Sequence, residues 1–263
     1  MEKKNFVVGK LKVRVFDTRE EMGKNAAIDV AARINRIIKD KGEANVVFAA
    51  APSQNELLEN LKQADVDWTK VRAFHLDEYI DLPADHPAWF SNFLDKALFK
   101  ELAFKEVYYM RDTPPCADGR LDPEAVANRY TQLMEKFPPD LVFLGIGENG
   151  HIAFNDPPVA DFNDPLTIKL IELDETCRNQ QLNDGPYSNI NEVPRIAMTM
   201  TVSALLKIPE HITVVPGPRK ADAVFNTLLG PISTECPASI LREHNDSTLY
   251  LDVESAEKII THF

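Results

Sequence analysis

Apolar positions along the chain follow two alternating rhythms. Short, nearly continuous apolar runs recur at residues 12–16, 45–51, 71–76, 106–109, 140–145, 196–200, 211–215 and 247–251. Runs of this length, bounded by charged or turn-forming residues, are the pattern of strands buried on both faces. Between most of them the apolar residues repeat at helical spacing. Over residues 18–40, Met22, Ala26, Val30, Ile34, Ile37 and Ile38 line one face of a helix with a period near 3.6. Further helices are expected at 54–63, 89–98, 122–136, 202–206 and 219–228. Strands alternating with helices at this spacing imply βαβ crossovers and an α/β fold: an open, mainly parallel sheet with helices on both faces. Ligands then gather where strand C-terminal ends meet helix N-termini. The stretch 156–185 breaks the rhythm, being rich in Asp, Asn and Pro around a shorter ordered piece at 166–173. It reads as an excursion over the sheet end, and a lid is expected over 156–190.

The 263 residues suit one large α/β domain spanning the chain, 1–263. A net charge of −12 argues against general affinity for nucleic acid. No apolar stretch approaches the ~20 residues of a membrane span, and charges interrupt the N-terminus where a secretory signal needs an apolar core, so a cytoplasmic protein is expected. Cys116, Cys177 and Cys236 are widely spaced and lack a CxxC pair. Neither a disulfide framework nor a structural zinc site is expected from them.

Four segments carry candidate chemistry. GIGENGHIAFNDP, residues 145–157, follows an apolar strand with a glycine turn. The glycines free backbone amides to face a ligand oxygen, with Gly147 the candidate contact. His151 just beyond can exchange protons near neutral pH, with Asn149 or Asp156 fixing its tautomer; the plain alternative is a tight turn with a packed histidine. AFHLDEYIDLP, residues 73–83, delivers Asp77 and Glu78 at a strand end. Consecutive strand residues point apart, so one acid is expected to face the pocket. In a desolvated cleft that carboxylate has a raised pKa and suits a general base, although a solvated acidic loop is the commoner fate of such pairs. VVFAAAPSQNELLENL, residues 46–61, has Ser53 and Glu56 at capping-box spacing, so a helix is expected to start at Ser53 and offer its amides to an anion. An ordinary capped helix fits equally well. VVPGPRKADAVFNTLLGP, residues 214–231, puts Arg219 and Lys220 at a helix start, against the usual dipole preference, which suits an anionic ligand.

Taken together, LDEY at residues 76–79 and GxGxxGHIAFNxP at 145–157, supported by Gly217 and Lys220, resemble the glucosamine-6-phosphate deaminase (isomerase) family, whose superfamily includes 6-phosphogluconolactonase. The resemblance runs in order over nearly the whole chain. It implies a Rossmann-like fold of the deaminase, ribose-phosphate isomerase and CoA-transferase type. It also implies an aldose–ketose isomerisation of an amino-sugar 6-phosphate with loss of ammonia, without a metal or organic cofactor. By that resemblance Asp77 moves the C2 proton to C1, His151 helps open the sugar ring, and Asn149 and Asp156 flank and tune the histidine. The phosphate loop falls on residues 50–54, including Ala51, Ser53 and Gln54, and the phosphate-binding lysine on Lys220. Four departures stand out. AAPSQ replaces a threonine- and glycine-rich loop, Asp156 a glutamate, Asn149 an aspartate found in many members, and Gln181 an arginine often found near the substrate.

A sugar-phosphate deaminase/isomerase is therefore the leading expectation, with a small-molecule sugar phosphate as its partner and homo-oligomerisation left open. A lactonase-like hydrolase is the second reading, opposed by Tyr79 and by residues 153–157, which differ from the Asp-Glu-Arg and Ser-Leu-Phe-Pro-like sequences of that branch. A sugar-phosphate-binding regulator with little turnover is the third, favoured by the altered loop.

Overall fold

The computed structural model describes residues 1–83, 85–116 and 121–263. Its strands are β1 (Glu2–Val8), β2 (Leu11–Phe16), β3 (Ala44–Phe48), β4 (Val71–His75), β5 (Asp77–Tyr79), β6 (Glu106–Val107), β7 (Leu141–Leu144), β8 (Ile168–Glu172), β9 (Ile196–Met200), β10 (Glu210–Val215) and β11 (Ser247–Asp252). Its helices are α1 (Arg19–Lys41), α2 (Asn55–Leu61), α3 (Phe90–Leu94), α4 (Pro123–Lys136), α5 (Glu175–Asp184), α6 (Val202–Leu206) and α7 (Ala221–Leu229).

Eight strands form the main sheet in the order β1-β2-β11-β10-β7-β3-β4-β6. All neighbours are parallel except β1 and β2, which form an antiparallel pair at one edge. The period-2 alternation of the central strands divides their side chains between two cores. Val46, Phe48, Leu141, Phe143, Ile212 and Val214 face one side, where α1 buries Met22, Ala26, Val30 and Ile34. Val47, Val142, Leu144 and Val215 face the other, packed with Val126, Tyr130, Val202, Leu205, Val224 and Leu228 of α4, α6 and α7. Helices thus cover both faces, which is why the central strands read as continuous apolar runs.

The ends of α1 follow the expected chemistry. The Thr18 hydroxyl accepts from the Glu21 N–H at 3.3 Å, and Gly42 stops the helix with φ 86° while its N–H donates to the Ile38 carbonyl at 2.8 Å. Among the described residues, no helix is long and apolar enough to cross a membrane.

One strand lies elsewhere than its apolar run implied. Residues 196–200 form β9 of a separate antiparallel sheet, β5-β9-β8, whose β5 continues directly from the C-terminal end of β4. The parallel-sheet expectation fails there because β9 is buried along almost its whole length, so its pattern cannot be told from that of a central parallel strand. The start of α2 is also corrected. A short 3-10 turn over Pro52–Gln54 precedes it, and neither turn nor helix has a side-chain cap. The Glu56 carboxylate instead pairs with the Arg19 guanidinium at 2.6 Å, so the Ser53–Glu56 capping box does not form.

Candidate active site

Parallel pairing of β10, β7, β3 and β4 brings four strand C-termini to one edge. The chain after β3 proceeds to β4 on one side, whereas the chain after β7 reaches β10 on the other, so the edge contains a topological switch point. Residues following the four strands line one cleft there: Ala51 and Ser53 after β3, Asp77 after β4, Gly147 and His151 after β7, and Lys220 after β10. Its empty volume is about 750 Å³ including the open mouth, within the range of small-molecule sites.

The loop after β7 is shaped around His151. A Cβ on Gly147 would lie 2.1 Å from His151 Cε1, so the imidazole rests directly on the Gly147 backbone. The Gly147 N–H also donates to the His151 carbonyl at 2.9 Å. Gly150 makes the turn with φ 85°, and a Cβ there would meet Cys236 Sγ at 2.6 Å. His151 Nδ1 lies 2.8 Å from Asn149 Oδ1 and 2.8 Å from Asp156 Oδ1. Asn149 Nδ2 donates to the same Asp156 oxygen at 2.7 Å. Two acceptors around Nδ1 hold the proton there, which leaves Nε2 as the exchangeable nitrogen. Burial opposes ionisation of Asp156, but attraction and hydrogen bonding from His151, with help from Asn149, hold its pKa below the usual carboxylate range. The shorter Asp156 side chain therefore still reaches the histidine. Asn155 stays out of the cleft and braces the loop, donating to the carbonyls of Ile152 and Met200 at 3.0 and 2.8 Å.

Asp77 and Glu78 have separate surroundings. The Glu78 carboxylate accepts from the N–H groups of Phe90 and Ser91 at 2.9 Å each and of Tyr79 at 3.1 Å, anchoring the start of α3. Asp77 lines the cleft and has no side-chain hydrogen bond among the described residues. Burial, reinforced by the Glu78 charge, pushes its pKa up to about 8. Burial also raises Glu78, to about 7, against the lowering effect of its three N–H donors. Those donors make Glu78 the first of the pair to ionise. Beneath them, fully buried His75 donates from Nδ1 to the Asp77 carbonyl at 2.9 Å and accepts the Met110 N–H at Nε2, 3.0 Å away. Desolvation pushes the imidazole pKa down to about 4, so it is neutral and its tautomer is set by these two partners.

At the opposite wall Lys220 is buried, and among the described residues no acid forms an ion pair with it. Desolvation lowers its pKa. Its neighbour Arg219 is exposed and engaged, 2.9 Å from Asp184 and 3.3 Å from Glu148. The Ser53 hydroxyl accepts from Gln54 Nε2 at 3.0 Å and remains free to donate its own proton. Gln54 does not line the cleft. It is fully buried, with Nε2 3.3 Å from the Leu144 carbonyl and 3.4 Å from that of Val214, so it joins β7 to β10 instead of facing a ligand.

Sequence patterning missed α5, which contributes Gln180, Gln181 and Asp184 to the cleft. Gln181 Oε1 accepts from the Tyr79 hydroxyl at 3.1 Å, and Gln180 Oε1 from the Glu148 N–H at 3.0 Å. Asp77, Asn149, His151 and Asp156 are thus placed together or in contact, with Ala51, Ser53, Gly147 and Lys220 on the same cleft. Arg19 and Phe90, which no motif signalled, also line it.

Residues 17–167 match the family model for glucosamine-6-phosphate isomerases/6-phosphogluconolactonase. The glucosamine-6-phosphate deaminase of Listeria welshimeri is 35% identical over 216 residues, covering 82% of this chain and 88% of that protein. The solved structure of a monomeric glucosamine-6-phosphate deaminase superposes with a TM-score of 0.83 at 28% identity, over 94% of this chain and 99% of that one. The 6-phosphogluconolactonase of Trypanosoma brucei shares the fold, with a TM-score of 0.77 at 16% identity over 97% of this chain and all of that one (100%).

Proposed function

The chain belongs to the glucosamine-6-phosphate isomerase/6-phosphogluconolactonase family, and from that premise we propose that it converts an amino-sugar 6-phosphate into a ketose 6-phosphate and ammonia. The observation that carries this reading is the placement of Asp77, His151 and Lys220 on one cleft, each following a strand of the same parallel sheet, β4, β7 and β10. The leading substrate is glucosamine 6-phosphate.

In this reading Lys220 and Ser53 hold the phosphate, with Ala51 and Gly147 shaping the cleft walls. His151 exchanges a proton at Nε2 with the ring oxygen and the C1 hydroxyl, which opens the pyranose to the aldehyde. Asn149 and Asp156 keep the imidazole in that tautomer and stabilise it when charged. Ionised Asp77 takes the C2 proton while the aldehyde oxygen O1 accepts one from solvent, giving an enolamine, and Asp77 then delivers its proton to C1. The resulting C2 imine adds water and expels ammonia. At the two bonds broken, C1–O5 on ring opening and C2–N on loss of ammonia, the departing atom takes a proton supplied by an acid group or water, so the reading is of a metal-independent deaminase of the hydrolase class. Cytoplasmic residence and a single functional domain, 1–263, go with it. Residues 156–190 act as a lid, with α5 held over the cleft through Arg219–Asp184 and Tyr79–Gln181.

A substrate panel tests the proposal. The protein is incubated with glucosamine, galactosamine and N-acetylated 6-phosphates and with 6-phosphogluconolactone, and ammonia release and lactone opening are scored. Ammonia from at least one free amino sugar is expected. Lactone opening without ammonia would transfer the protein to the lactonase branch, and stabilisation by ligands without turnover would make it a regulator.

A further inference from the structure

Three donor groups of different chemistry meet around His151, behind the cleft it lines. A ring nitrogen of His151, a carboxylate oxygen of Asp156 and Cys177 Sγ all lie within 4.8 Å of one another, with His151 Nδ1 itself 2.8 Å from Asp156 Oδ1, and all three residues are buried. They come from two separate elements, the loop after β7 and the first turn of α5. While Asp156 Oδ1 has His151 and Asn149 as partners, buried Asp156 Oδ2 accepts no full hydrogen bond, and only the weak Cys177 thiol donor helps to hold the Asp156 carboxyl below its usual range. A buried carboxylate oxygen with only a weak thiol donor is costly, and a cation shared by the thiolate and the carboxylate removes the cost.

We propose that His151, Asp156 and Cys177 form an inhibitory binding site for a divalent transition-metal ion, with Zn²⁺ as the fitting ion. Imidazole, carboxylate and thiolate together select Zn²⁺ over Mg²⁺ or Ca²⁺, which take oxygen ligands. With metal–ligand bonds of ~2.0–2.3 Å, tetrahedral ligands sit roughly 3.3–3.7 Å apart, so closure requires side-chain shifts on the order of 1 Å. Water from the cleft supplies the fourth ligand. On binding, the Nδ1 and thiol protons pass to buffer and their lone pairs go to the metal, with no change of oxidation state. The ion takes the nitrogen whose proton sets the His151 tautomer and ties down Asp156. Metal capture stands on the geometry alone, whereas inhibition rests on the proposed roles of His151 and Asp156.

The test is titration of the metal-free chain of residues 1–263 with Co²⁺ and then Zn²⁺. One Co²⁺ per chain is expected to give a thiolate-to-cobalt charge-transfer band, which Zn²⁺ abolishes. Cys177→Ser should remove the band and weaken Zn²⁺ binding, measured against a chromophoric chelator, by at least ~100-fold, while Cys116→Ser retains both. Asp156→Asn should weaken binding with the thiol in place, and thermal unfolding confirms that each variant is folded. No stoichiometric binding to wild type, or a band that survives Cys177→Ser, would overturn the site. Ammonia release should fall with the same midpoint as Zn²⁺ binding; binding with undiminished release would overturn the inhibitory role. The spectroscopic arm needs no turnover, so failure of the site is distinguishable from failure of the proposed reaction.

Discussion

Asp77 and Glu78 are adjacent in sequence, yet the Glu78 carboxylate is held by the N–H groups of Phe90 and Ser91, each at 2.9 Å, while that of Asp77 is left to the cleft. The Glu78 charge, added to burial, raises Asp77 to about 8. The acidic limb of kcat/KM should therefore titrate far above the ordinary carboxylate range. Glu78→Gln removes the neighbouring charge and is expected to move that limb to lower pH, as a pH–rate profile would show. An unmoved limb would mean that Glu78 does not tune Asp77.

Stability gives an independent check on the same group. The Asp77 pKa is about 8 in the folded protein against 3.8 for an ordinary aspartate, so the folded state binds the proton more tightly. Its contribution is fully present below the lower value and is lost as pH rises through the folded one. Asp77→Asn, which stays neutral, should therefore gain Tm relative to wild type between pH 5 and pH 9. A difference in Tm that does not change with pH would argue that Asp77 is ordinarily solvated.

His75 supports the backbone on which Asp77 rides, through its bonds to the Asp77 carbonyl and the Met110 N–H. His75→Leu leaves both backbone groups buried without that partner and should cost ~2–4 kcal/mol in denaturant unfolding. Its effect on turnover should appear mainly in kcat, since the side chain touches no part of the proposed phosphate site.

At the other end of the cleft, buried Lys220 and exposed Arg219 should behave differently. A charge-assisted hydrogen bond is worth ~1.5–3 kcal/mol, so Lys220→Ala should raise KM by a factor of ~10–100. Arg219→Ala loses its pairs to Asp184 and Glu148 and should change KM by less than half that factor on a logarithmic scale. Steady-state kinetics with one phosphorylated substrate compares the two.

Much of this site was legible because parallel strands force loop chemistry to one edge. The apolar run before Gly145 and the one before Asp77 were enough to bring His151 and Asp77 together. The helix α5 was not legible: its residues ETCRNQQLND include only Cys177 as a buried position, so no apolar stripe marks it. Ser53 and Glu56 had the spacing of a cap, but Pro52 opens a 3-10 turn and Arg19, distant in sequence, holds Glu56. Gln54 gave no sign that it would be drawn between β7 and β10. His75 was hidden in a strand buried at every position, where one polar residue among apolar ones has no periodic signature.

The most direct measurement of the central claim is the yield of ammonia and fructose 6-phosphate from glucosamine 6-phosphate, with wild type and Asp77→Asn side by side. The account expects one ammonia per fructose 6-phosphate from wild type, and a rate lower by a factor of ~10²–10⁴ from the variant. No ammonia from the wild-type protein with this or any other free amino-sugar 6-phosphate, or equal rates from the two proteins, would contradict it.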